Sequence, residues 1–274
     1  MARNGLFVFF VAAGLLTEAA LFAAPADWEG HYEKGIGHAA EGRFSEARKE
    51  FTHALASDPY LVHISSCAQI AGDAAAGKIS EAAGRAIFRG IEAGNKNKWD
   101  EAIVELDKAA GLEPAYAALF NERGIAFACS GRNDKAISDF TRAIALKPNY
   151  EYAYSNRAYS YAHSGYKGKA LADFDEALKI NPYYALGFYN RGVFYSEYLG
   201  LNEHAIGDFT RAIEANHRFE DAYIDRGVVY YKMGEYDNAI KDFDRALEIS
   251  PENSRARQNK DACAEHSFRV YTRE

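Results

Sequence analysis

Two histidines near the start of the chain have a spacing that could bind a metal ion. His31 and His38 are seven residues apart, so they would lie on one face of a helix, two turns apart. Imidazole nitrogens are common ligands of Zn²⁺. Both residues also occupy ordinary positions for packing between helices. We favour packing, and we assign no metal site and no cofactor.

A second segment partly matches a phosphate-binding loop. Gly72, Gly77 and Lys78 have the GxxxxGK spacing, but Ile79 stands where the motif needs Ser or Thr for magnesium, and Ser80 comes one place late. Ala-rich helical sequence precedes it, where the motif needs a strand. We interpret it as a chance match. A nucleotide-dependent enzyme stays an alternative, which failure to bind ATP would remove. GxSxG, HExxH and GxGxxG motifs do not occur, and we predict no catalytic residue.

Composition narrows the class of protein. The chain has 274 residues, of which 48% are hydrophobic and 26% charged, as in globular proteins. Its net charge of -7 lacks the basic footprint of a nucleic-acid binder. Cys67, Cys129 and Cys263 form no CxxC pair, which disfavours a cysteine zinc site or a dense disulfide framework.

The proline spacing shows how the helices are organised. Pro114, Pro148 and Pro182 are 34 residues apart, and Pro251 follows after 69. Proline ends helices, so a helix ends about every 34 residues. Other positions recur with this period: small residues at position 8, alanines at 20 and 27, and a large apolar side chain at 24. Those at position 24 are Phe51, Leu106, Phe140, Phe174, Phe209 and Phe243.

These residues closely resemble the tetratricopeptide repeat family, whose unit is a pair of antiparallel helices. The resemblance covers residues 28–253, except an insertion at about 62–82, and one extra residue stands near Ser196–Gly200. It implies an all-α fold, a right-handed α-solenoid of about six helix pairs. We expect the insertion to add one helix at 61–76, and residues 254–274 to form a polar capping helix. The repeats start at Trp28, Ala83, Ala117, Glu151, Ala185 and Glu220.

The first 26 residues are typical of a secretory signal peptide. Arg3 precedes an apolar run, and the segment ends in Ala24-Pro25-Ala26, an A-x-A cleavage pattern. An uncleaved membrane anchor is the alternative. We expect an exported protein, periplasmic or secreted, with no membrane contact after cleavage. The expected organisation is a signal peptide (1–26), a first repeat with the extra helix (27–78), the repeat array (79–253) and the cap (254–274).

Two charged stripes follow the same period. Position 7 is always basic and position 23 always acidic, so we predict that the two stripes pair between helices instead of forming a phosphate-binding surface. The basic residues are Lys34, Arg89, Arg123, Arg157, Arg191 and Arg226; the acidic ones are Glu50, Glu105, Asp139, Asp173, Asp208 and Asp242.

The family resemblance places a binding site on the first helices, which line a concave groove in such proteins. Tyrosines there offer contact area, and asparagine amides can pair with a peptide backbone. Tyr154-Ser155-Asn156-Arg157 resembles the middle element of the family's carboxylate clamp, but the flanking elements are missing. The predicted groove residues are Tyr152, Asn156, Tyr159, Tyr189, Asn190, Asp225 and Tyr231.

The sequence therefore indicates a protein-binding adaptor or scaffold of the cell envelope, not an enzyme. Its partner would be a protein or peptide, and not a nucleic acid. It looks similar to bacterial envelope tetratricopeptide adaptors that gather proteases, cell-wall enzymes or secretion machinery. A self-assembling structural component of such a complex is the alternative. A mass measurement at several concentrations would separate the two, and the oligomeric state stays open.

Overall fold

The fold is a succession of helix pairs. The computed structural model describes residues 28–57 and 61–271, which contain fourteen α-helices, one π-helical segment and no strand. The helices are α1 (Trp28–Ala40), α2 (Phe44–Ser57), α3 (Val62–Ala75), α4 (Glu81–Asn95), α5 (Trp99–Leu112), α6 (Ala117–Cys129), α7 (Asn133–Leu146), α8 (Glu151–His163), α9 (Lys167–Ile180), α10 (Ala185–Phe194), α11 (Asn202–Ala215), α12 (Glu220–Lys232), α13 (Tyr236–Ile249) and α14 (Ser254–Tyr271); the π-helical segment is Tyr195–Leu199.

The described residues form two compact units. One contains residues up to Asp173 and the other begins at Phe174, so the division falls within α9. The predicted division near residue 78 stays a prediction. The signal-peptide interpretation concerns residues that lie outside the described part of the chain. Within that part, no helix has both the length and the apolar character needed to cross a membrane.

In each unit, the helices pack through the residues that recur at positions 8, 20, 24 and 27 of the repeat. A Cβ added at Gly124 would lie 2.6 Å from Cε1 of Phe140, and one at Gly227 would lie 2.8 Å from Cε1 of Phe243. The small residue at position 8 therefore lets the two helices of a pair approach until the aromatic ring of one touches the backbone of the other. The alanines at positions 20 and 27 are fully buried in the same stripe, as at Ala136, Ala143, Ala239 and Ala246.

The two departures from a strict repeat are confirmed. The insertion forms α3, whose apolar side chains Ile64, Cys67 and Ile70 are at most 3% exposed. The cap forms α14, which buries Ala256 and Cys263 completely. Both helices cover apolar surface that a neighbouring repeat would otherwise cover.

The extra residue of the fifth repeat is absorbed by a change of helix type. The last turn after α10 is a π-helix, Tyr195–Leu199, which ends at Gly200 in the left-handed region with a φ of 68°. A π-helical turn holds one more residue than an α-helical turn, so it takes up an insertion within a helix.

The charged stripes pair as predicted in the last four repeats. Nε and Nη2 of the position-7 arginine donate to the two carboxylate oxygens of the position-23 aspartate at 2.7–2.9 Å. Nη1 then reaches the second helix of the preceding repeat. Each guanidinium thus ties three helices together. The pairs are Arg123–Asp139, Arg157–Asp173, Arg191–Asp208 and Arg226–Asp242.

The first two repeats depart from this arrangement. Glu50 accepts from His31 at 2.6 Å, and Glu105 accepts from Lys108 on its own helix at 2.5 Å. The prediction of six equivalent pairs is therefore wrong for these two repeats. Their position-23 residue is the longer glutamate, which reaches other partners.

Candidate functional site

In the unit that ends at Asp173, side-chain amides of neighbouring first helices form a hydrogen-bonded row. Asn156 Nδ2 donates to Asn121 Oδ1 at 3.0 Å. Asn121 Nδ2 donates in turn to Glu122 Oε1 at 3.3 Å. The predicted groove residue Asn156 therefore belongs to a hydrogen-bonded row on α6 and α8.

Side chains of the inserted helix α3 reach Glu122 of α6 and Tyr116, the residue before α6. Ser66 Oγ donates to Glu122 Oε1 at 3.3 Å, and Tyr116 OH donates to Asp73 Oδ2 at 3.0 Å. Lys78 Nζ donates to the other oxygen of Asp73 at 2.8 Å. A helical segment of the chain itself is thus bonded to the start of α6.

The acidity of Glu122 is shifted from that of an ordinary glutamate. Burial raises the pKa of Glu122 to about 7, while hydrogen bonds from Asn121 and Ser66 oppose the shift. Desolvation disfavours the charged carboxylate, and two donors at 3.3 Å do not compensate for it fully. Glu122 is thus a group whose protonation changes near neutral pH at the contact between α3 and α6.

Two tyrosines continue this face along α8. Tyr152 is partly buried, and its ring lies 6.0 Å from that of Tyr150 in an edge-to-face arrangement. Burial raises the pKa of Tyr152 to about 12. Tyr159 stacks on the imidazole of His163 with centroids 4.0 Å apart. Tyr152 therefore stays neutral at physiological pH, and both tyrosines present apolar area with a polar tip in well-supported positions.

In the unit that begins at Phe174, two predicted groove residues are engaged with each other and with the cap. Tyr189 is 2% exposed, and its hydroxyl donates to Asp225 Oδ2 at 2.6 Å. Arg255 of α14 bonds Asp225 and lies 3.7 Å from Asp221. Burial, followed by the charge of Asp225, raises the pKa of Asp221 to about 6. The first turn of α14 therefore covers the acidic part of this face.

The two other predicted groove residues of this unit lie on its first helices. Asn190 is partly buried on α10, and Tyr231 lies near the end of α12 with its ring 5.5 Å from that of Tyr236. Whether a partner contacts these residues, or the predicted ones on α8, stays a prediction.

Sequence reasoning missed the partners that α3 and the cap supply. Ser66 lies in the insertion, outside the 34-residue period, and nothing in its neighbourhood indicates a bond to Glu122. The phosphate-loop match is also explained: Gly72 and Asp73 lie within α3, and Ser80 caps α4 by accepting from the backbone N–H of Ala83 at 3.4 Å.

Sequence reasoning also missed a cluster of possible metal ligands. It weighed His31 with His38, whereas the structure places His31 beside Glu50 and His53. The spacing of Glu50 and His53 along α2 could have indicated one half of this cluster.

Comparison with protein-family models identifies the repeats. Models described as tetratricopeptide repeat match residues 89–151, 151–184 and 220–253. The chain is a tetratricopeptide repeat protein. No curated protein sequence matches it. Tetratricopeptide repeat proteins are generally non-enzymatic scaffolds for protein interactions.

Solved structures confirm the α-solenoid fold class. The tetratricopeptide repeat protein TTC0263 of Thermus thermophilus is 20% identical with a TM-score of 0.59, and the match covers 67% of this chain and 99% of that one. A tetratricopeptide repeat protein of Parabacteroides merdae is 16% identical with a TM-score of 0.56, over 88% and 87%. The APC/C hetero-tetramer Cut9–Hcn1 is 21% identical with a TM-score of 0.62, over 85% of this chain and 49% of that one.

Proposed function

We propose that this tetratricopeptide repeat protein is a non-catalytic adaptor that holds a segment of a partner protein on the first helices of its repeats. The family supports this role in general terms. The sequence of residues 1–26 supports an exported adaptor that works in the cell envelope. The proposed ligand is a helical or extended segment of protein.

The observation that carries the proposal is the position of α3. This helix reaches α6 through the hydrogen bond from Ser66 to Glu122, and its Asp73 accepts from Tyr116, which directly precedes α6. The start of α6 therefore provides polar side chains that bond a helix of the chain itself. Helix-in-groove binding of a partner combines a few such polar contacts with apolar anchors.

The proposed contact surface continues from α6 onto α8, beside α3. Tyr152 and Tyr159 supply the large rigid side chains that concentrate binding energy at interfaces, and Asn156 supplies an amide within the row that ends at Glu122. Recognition would depend mainly on shape and backbone contacts, and it would not require an acidic terminus of the partner.

We expect the double variant Tyr152→Ala with Tyr159→Ala to bind the partner at least about tenfold more weakly, since each truncated aromatic anchor costs about 1 kcal/mol or more. The full chain would capture its partner from an envelope extract, mass spectrometry would identify it, and calorimetry with the purified partner would measure the affinity.

The matched control for this experiment is Tyr183→Ala. Tyr183 is 85% exposed and lies in the turn between α9 and α10, so its loss should leave the affinity unchanged. If the double variant binds at full affinity while a substitution within residues 61–78 abolishes binding, the partner contacts the insertion and the proposed surface is wrong.

The proposed export of the protein can be tested separately. Cleavage after Ala26 would give a mature chain that begins at Asp27. Intact-mass measurement of the protein purified from the envelope fraction should give the mass of residues 27–274. A product that keeps residues 1–26 and stays in the membrane fraction would contradict export by cleavage.

A further inference from the structure

The first repeat holds three metal-ligating side chains close together, on the pair α1 and α2. His31 lies on α1, and Glu50 and His53 lie one turn apart on α2. One ligand atom from each residue lies within 4.8 Å of the others. His31 Nδ1 is 2.6 Å from Glu50 Oε2, and the two imidazole rings have centroids 5.1 Å apart.

At the position of this cluster, the last four repeats have an arginine–aspartate pair instead. Glu50 is the position-23 acid, whose counterparts in the last four repeats are buried against an arginine at position 7. Here position 7 is Lys34, which is exposed, and His31 contacts the carboxylate instead. Glu50 therefore has two imidazoles beside its carboxylate, those of His31 and His53.

We propose that His31, Glu50 and His53 bind a divalent transition-metal ion, with Zn²⁺ as the best match. Two imidazoles and one carboxylate form a ligand set that zinc takes in proteins, with bonds of about 2.0–2.2 Å. Such bonds place the three ligand atoms closer together than in the metal-free arrangement. His53 is exposed and can rotate towards the other two.

Three protein ligands leave a fourth position of a tetrahedral zinc ion open. Water, or a histidine, cysteine or carboxylate of a bound protein, can occupy such a position. The metal would also join α1 to α2, as the position-7 guanidinium joins the two helices of each of the last four repeats.

Isothermal titration of the tag-free full chain with ZnCl₂ tests this proposal. The expected result is one saturable site, weakened at least about tenfold in His53→Ala and in Glu50→Gln, since loss of even an indirect support of a metal site typically costs 10–100-fold. Because His53 is exposed, the His53→Ala variant should fold normally, and circular dichroism would check its helix content. Two matched controls, His38→Ala on α1 and the exposed His217→Ala, should bind Zn²⁺ like the unmodified chain.

A second measurement uses stability. Because a ligand that binds only the folded state stabilises it, Zn²⁺ should raise the melting temperature of the unmodified chain and of His217→Ala by similar amounts, and that of His53→Ala by less. Absence of saturable binding in the unmodified chain, or equal binding by His53→Ala and the controls, would overturn the proposal.

Discussion

Replacing Arg191 with alanine is expected to destabilise the protein by about 3 kcal/mol, because it leaves the carboxylate of Asp208 buried without its partner. The side chain of Arg191 is 19% exposed and that of Asp208 is 8% exposed, so water replaces the lost bonds poorly. The variant also loses the bond from Nη1 to Asp175 at 2.6 Å. The melting temperature, followed by circular dichroism, should fall by about 6–12 °C.

Lys232→Ala is the control for this prediction. It breaks the ion pair with Glu197 at 2.9 Å, whose two side chains are 45% and 49% exposed. Such a pair contributes at most about 1 kcal/mol. Adding Asp208→Asn to Arg191→Ala should recover part of the loss, because the unpaired charge is then gone. Equal and small effects of Arg191→Ala and Lys232→Ala would show that these arginines are ordinary surface residues.

Glu122→Gln is expected to stabilise the protein at pH 8 and to have little effect at pH 4. The pKa of Glu122 is raised from 4.5 to about 7 in the folded chain. Below pH 4.5 both states hold the proton; as the pH rises to 7, the unfolded chain releases it first, so folding stability falls. The gain at pH 8 should be about 2 kcal/mol, below the ~3 kcal/mol of the full shift, because Glu122 keeps some contact with water.

Urea unfolding between pH 4 and pH 8 measures this difference. Glutamine keeps the oxygen that Ser66 and Asn121 donate to, so the contact with α3 should survive. The exposed Glu33→Gln on α1 serves as the matched control and should leave the pH dependence unchanged. The raised pKa of Asp221 contributes equally to all three proteins, so it cancels. A constant difference between Glu122→Gln and the unmodified chain at every pH would contradict this role of Glu122.

The features that repeat could be predicted from the sequence. A residue type that recurs at the same position of several repeats seldom does so by coincidence. Phe140 and Phe243, the glycines that face them, and the partners of Arg157 and Arg191 all follow from the period. Even the inserted and capping helices followed from where the period breaks.

The rest depends on contacts that occur once. The bond from Ser66 to Glu122 joins the insertion to a helix 56 residues away, and Arg255 reaches Asp225 from the cap. His31, Glu50 and His53 come together through the packing of one helix pair. No periodic signal marks such contacts, so only the folded arrangement identifies them.

The π-helical segment shows how this kind of protein tolerates a change in chain length. Arg191 and Asp208 are 17 residues apart, whereas Arg157 and Asp173 are 16 apart, yet their hydrogen bonds are equally short. The matched family regions leave out residues 185–219, although this repeat keeps the same glycine, phenylalanine and ion pair. An extra residue between the helices of a repeat is therefore compatible with the alignment that the charged pair maintains.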